Sequence, residues 1–150
     1  MSITSIEVIN VLYQTITNSA VLSDVKKPNG KLCKMERPLN SVLEDIVING
    51  ISLDRDELQE GVLNVNVYVP NLFNPATPND KSQPDTARIL YLSKLTNQAL
   101  GSGDEFWDSS GKWCFCIQQD NAFADTNNQH YINFRIEFYL NNSSVEEKRI

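Results

Sequence analysis

Residues Val62 to Val69 alternate with period two, Leu63, Val65, Val67 and Val69 falling on one side and Asn64, Asn66 and Tyr68 on the other. Pro70 has no N–H for a further ladder bond, so the pattern predicts a strand that stops there. One apolar and one polar side predict a sheet that is covered on one face and open on the other. A longer alternation sets His130, Ile132, Phe134, Ile136, Phe138 and Leu140 against Tyr131, Asn133, Arg135, Glu137 and Tyr139, and predicts a second strand of the same kind. Trp113 to Ile117 is apolar on both sides and reads as a central strand, or as an edge covered by another subunit.

Elsewhere the apolar period is helical. Ile6, Ile9, Tyr13, Ile16 and Ala20, widened by Val8 and Leu12, predict an amphipathic helix over 4–20 with Thr4 or Ser5 as its cap. Ala87, Leu90, Tyr91, Leu95, Gln98 and Ala99 predict a second helix, capped by Asp85 or Thr86 and stopped by Gly101. Short strands are expected at Leu32 to Glu36 and, after a connector at Pro38 to Leu43, at Asp45 to Ile51. Asp54 to Gly61 reads as a loop or a single helical turn, and Pro70 to Pro84, Ser102 to Lys112 and Asn121 to Asn128 read as loops, the first of these rich in proline and the last a long hairpin connection. From Asn141 the chain is polar, and a frayed tail over 141–150 is expected. The order helix, three strands, helix, two strands predicts one α+β domain over 1–150. Its sheet would be mostly antiparallel, of about five strands, with both helices packed on one face.

The net charge of −6 and the scattering of the 13 basic residues argue against specific nucleic-acid binding and against an anionic membrane surface. No run approaches the roughly 18 apolar residues of a membrane span, and the first residues lack the basic start and apolar stretch of a signal peptide. With three cysteines, an odd number, this fits a cytoplasmic protein better than a disulfide framework.

Candidate chemistry is sparse. Cys114 and Cys116 project to one side of a strand and, with Cys33 and His130, supply the atoms for a zinc site. A C-x-C within an apolar strand, however, matches buried small hydrophobes better than the paired knuckles of structural zinc. His130 is the only histidine and stands at a strand start, a poor place for an acid or base. Asp54, Asp56, Glu57 and Glu60 fail the EF-hand pattern, because Leu58 stands at a ligand position, and read as a solvated loop. No phosphate-binding, metalloprotease or nucleophile-elbow motif occurs. The expectation is a protein without catalytic residues, cofactor or metal.

The runs Arg37-Pro38-Leu39-Asn40-Ser41, Glu44-Asp45-Ile46-Val47-Ile48-Asn49 and Val62-Leu63-Asn64-Val65-Asn66-Val67-Tyr68-Val69-Pro70-Asn71 resemble small tail-completion proteins of phages and prophages. The predicted element order is similar to that of tail-terminator proteins. That resemblance implies a non-enzymatic structural protein that forms a homo-oligomeric ring, commonly a hexamer, at the head-proximal end of the tail tube. Its partners would be the tail tube protein and the head connector protein, in the host cytoplasm during assembly and then in the virion tail. A ring subunit needs contact surfaces and no active site. The candidates are Asn64, Asn66 and Tyr68 on the polar strand face, Phe106 and Trp107 in an aromatic loop, and Trp113 and Phe115 on the apolar strand. Phe106 and Trp107 also have a plainer reading, as anchors of their loop on its own core. An alternative function is a monomeric module that binds a protein or ligand through the 70–84 and 101–112 loops.

Overall fold

The computed structural model describes residues 3–141. It is an α+β fold of two helices on a mixed sheet: α1 (Ser5–Thr17), β1 (Leu32–Lys34), β2 (Ile46–Leu53), β3 (Leu58–Pro70), α2 (Thr86–Ala99), β4 (Phe106–Trp107), β5 (Trp113–Asp125) and β6 (Gln129–Asn141). The sheet has six strands in the order β1-β2-β3-β6-β5-β4. Every neighbouring pair is antiparallel except β1 with β2. The expectation of about five strands is thus one short, and the last block of the chain holds three strands instead of two.

Both helices begin where side-chain oxygens meet free N–H groups. Thr4 Oγ1 accepts from the Glu7 N–H while Glu7 Oε1 accepts from the Thr4 N–H at 3.0 Å, a reciprocal capping box. Asp85 Oδ1 accepts from the Arg88 N–H at 3.1 Å and starts α2. Val8, Ile9, Leu12 and Ile16 of α1 and Leu92 of α2 reach one common core with Ile46, Ile48, Val65, Val67, Ile132, Phe134, Ile136 and Phe138 of the sheet. Both helices therefore cover the same face, as the two alternating strands require. At roughly 1.5–3 kcal/mol per fully buried large apolar side chain, this single cluster is the main source of stability.

α1 ends at Thr17 and β1 at Lys34, each short of its expected end, and β2 runs two residues past its own to Leu53, while three further departures are larger. β3 begins at Leu58, four residues before the alternation becomes visible, because Gln59 is buried with its amide paired to the backbone of Ile3. β5 continues to Asp125 through a stretch expected to be loop, which leaves only 126–128 as the turn, with Asn128 in the left-handed region at φ 56°. β4 is two residues pinned to Cys114 and Phe115, too short to show any period. Of the expected frayed tail, Asn141 belongs to β6 and the remainder lies outside the described residues.

Candidate subunit-contact surface

The face of the sheet away from the helices is ordered in rows. Register places Tyr68, Tyr131 and Phe123 side by side on β3, β6 and β5, with ring centroids 5.1 Å and 5.5 Å apart. Beside them Asn66, Asn133 and Asn121 form a row of amides. Asn133 Nδ2 donates to Asn66 Oδ1 at 2.7 Å and to Asn64 Oδ1 at 3.0 Å, and Asn64 Nδ2 donates on to Asn49 Oδ1 at 3.0 Å. The network spans β2, β3 and β6. It offers planar rings and amide donors and acceptors, which suit a wet interface and supply no nucleophile or base. Further along, the Tyr139 hydroxyl donates to Glu137, and that bond pushes the phenol pKa up to about 12.

One end of this face is closed by a polar clamp. Arg37 Nε meets Asp45 Oδ2 at 3.0 Å, its Nη1 donates to Gln129 Oε1 at 2.7 Å, its Nη2 donates to the Leu43 carbonyl at 2.9 Å, and its guanidinium lies 4.0 Å over the Tyr68 ring. Asp45, fully buried, also accepts from the Ser41 hydroxyl and from the Lys31 N–H at 2.8 Å. Burial pushes the Asp45 carboxyl up, but the bonds from Ser41, Lys31 and Arg37 together outweigh it and hold the pKa below the usual value. On the helix side, Glu44 takes two bonds from Arg88 at 2.7 Å and 2.9 Å and exchanges backbone-to-side-chain bonds with Asn29. A Cβ on Gly30 would lie 2.4 Å from Asp45 Oδ1 and 2.5 Å from the Glu44 carbonyl, so this crossing of chains needs glycine. Arg37, Ser41, Glu44 and Asp45, part of the stretch that carries the phage resemblance, thus hold the fold together.

The candidate contact residues divide. Asn64, Asn66 and Tyr68 share the open face, half-buried among the rows. Trp107 is 54% exposed on β4. Phe115, in contrast, is 0% exposed: it stacks on Phe106 at 4.9 Å and on Trp113 at 6.0 Å within the core, so as a surface for a neighbour it is corrected. Phe106 and Trp113 pack mainly inward and show partial exposure beside a cavity of about 710 Å³ between α1 and the end of α2. The lining of that cavity includes no residue of 70–84, so the two loops of the alternative reading do not meet there.

Two surfaces carried no readable signal. From Gln118 to Asp125 the side of β5 away from β6 pairs with no strand among the described residues, and the Ala122 N–H is met by Asn121 Oδ1 at 2.9 Å. At the far side, β1 is a three-residue edge followed by Met35 at φ 74°. The polar run Gln-Gln-Asp-Asn conceals the first, and brevity conceals the second. His130 Nδ1 faces Asn71 Oδ1 at 2.6 Å. Burial raises the thiol pKa of Cys33, Cys114 and Cys116 and so makes each a weaker nucleophile. Among the described residues, no group of three or more His, Cys, Asp or Glu side chains is arranged to hold a metal. No helix among them is long and apolar enough to cross a membrane.

No protein-family model matches the chain, and no curated protein sequence matches it.

Proposed function

We propose that this chain is a structural, non-enzymatic ring subunit of the phage tail-completion or tail-terminator kind. The observation that carries the reading is a sheet in which residues 118–125 of β5 pair with no further strand among the described residues, beside an open face built of amide and aromatic rows. Such a face and edge suit contacts between copies, since a strand edge with unpaired backbone groups is a template for another strand. The sequence resemblance over residues 37–71 supplies the class: a homo-oligomer, commonly a hexamer in that family, between the tail tube protein and the head connector. Its place would be the host cytoplasm during assembly and the virion tail afterwards.

Negative-stain electron microscopy of the purified full chain, alone and mixed with tail tubes, tests this reading. Rings with an open centre, or caps at one tube end, are expected. Bare tube ends together with a dispersed small particle would overturn it.

The cavity of about 710 Å³ favours a second reading, a monomeric binding module, since Val11, Leu95 and Trp113 form an apolar floor with Asn10 and Gln98 at its rim. Deleting residues 74–82 would leave this site intact. A ligand lost on that deletion would point to the proline-rich loop instead.

A further inference from the structure

The two outer edges of the sheet match each other. Following the registers across the strands, Leu32 is in the row of Ile46, Val67, Ile132 and Ala122, and Cys33 in the row of Val47, Asn66, Asn133 and Asn121. Lys34 is in the row of Ile48, Val65, Phe134 and Asp120. The exposed edge of β1 thus stands level with the part of β5 that β4 leaves open, since β4 pairs only with Cys114 and Phe115.

Direction agrees as well. β1 is parallel to β2, and β2, β3, β6 and β5 alternate, so β5 runs opposite to β1. A neighbour's β1 laid beside β5 in the same sense as the sheet would add as an antiparallel strand, the pairing that needs least adjustment.

Charge agrees too. Lys31 and Lys34 outnumber the exposed Glu36 on and beside β1, whereas Asp120 is exposed on the open part of β5. In a chain of net charge −6, a basic edge facing away from an acidic one is a division that like-to-like contact would not exploit. Large apolar side chains also stand in water at both edges, Met35 at 59% exposure beside β1, and Phe123 at 43% on β5 with Trp107 at 54% on β4.

We propose that copies of this chain join head to tail, the β1 edge of one copy pairing with the Gln118–Asp125 edge of the next, with Lys34 set against Asp120 and Cys33 against Asn121. The proposal rests on the ring reading and names its contact. The junction is heterologous, so it closes into a ring when the rotation per copy divides a full turn. Asn121 has a second role: its side chain occupies the Ala122 N–H in the free subunit and must release it when a strand arrives.

Asn121→Cys in the full chain tests the junction, because opposed residues of an antiparallel pair lie at roughly 4.5–5.5 Å between Cα atoms, within disulfide reach. Under mild oxidation, non-reducing electrophoresis should show a ladder extending beyond the dimer, with the bridge mapped to Cys33 and position 121, and Cys33→Ser should abolish it. A covalent dimer and nothing larger would overturn head-to-tail pairing in favour of a two-fold contact. No bridge while the unmodified chain remains oligomeric would overturn the edge assignment and leave the ring reading standing. A chain that stays monomeric at high concentration and on tail tubes would overturn both. Charge reversal provides a second reading that needs no thiol. Lys34→Glu and Asp120→Lys should each weaken self-association about tenfold or more at low salt, and mixing the two variants should restore it. Association unchanged in both variants would overturn the charge pairing.

Discussion

Arg37 and Asp45 form a largely buried ion pair at 3.0 Å that joins the arm after β1 to the start of β2. The carboxylate has two further donors and the guanidinium two further acceptors, so both charges are satisfied where water is excluded. Asp45→Ala would leave the guanidinium with one fewer acceptor in a dry site, and a loss of about 3–5 kcal/mol in urea unfolding is expected. Asp45→Asn should cost less, because the amide oxygen still accepts one of these bonds.

The same carboxylate sets a pH dependence. Its folded pKa lies below that of an ordinary aspartate, so the unfolded chain binds the proton more tightly. The stabilisation is present above the unfolded pKa and is lost as pH falls through the folded one. Thermal unfolding from pH 7 to pH 2 should therefore show a drop in Tm that begins near pH 4 and deepens below it, with a smaller drop in Asp45→Asn.

Gly30→Ala tests the chain crossing beneath the clamp. The new Cβ would press on the Asp45 carboxylate and the Glu44 backbone at about 2.5 Å, with backbone on one side that cannot swing away. A destabilisation of roughly 1–3 kcal/mol by chemical denaturation is expected.

Phe115→Ala and Trp107→Ala should part company, because the two aromatics differ in burial although they belong to adjacent paired strands. The first should cost about 3–5 kcal/mol of folding stability. The second should stay within about 0.5 kcal/mol in folding, and should weaken self-association as followed by sedimentation.

Asn64→Asp with Asn66→Asp places two carboxylates on either side of the Asn133 amide, which already donates to both positions. Those bonds survive the change while the one from Asn64 Nδ2 to Asn49 Oδ1 is lost, so the fold should be retained, with a loss of about 1–2 kcal/mol. The oligomer should weaken more than the fold if the open face meets or lines a neighbouring subunit. Circular dichroism and light scattering on one sample separate the two effects.

How much of this was legible depended on burial. The strands around Val65 and Phe134 sit at the sheet centre with one face on the helices, so burial writes their period into the sequence. The second half of β5 has no such constraint: Gln119, Asp120, Asn121 and Ala122 are all exposed, and polar residues there look like a turn. Leu58 to Gly61 was hidden by Gln59, whose burial depends on a backbone partner 56 residues away. Asn64, Asn66 and Tyr68 could be assigned to a polar face from spacing alone. That Phe115 is core and Trp107 surface depends on how two helices and a two-residue strand converge, which no local pattern records.

Native mass spectrometry of the full chain over a wide concentration range tests the ring most directly. The account predicts a single closed oligomer at one fixed multiple of the 17.0 kDa chain, unchanged in number as concentration rises. A monomer throughout, or an open series of growing multiples, would contradict it.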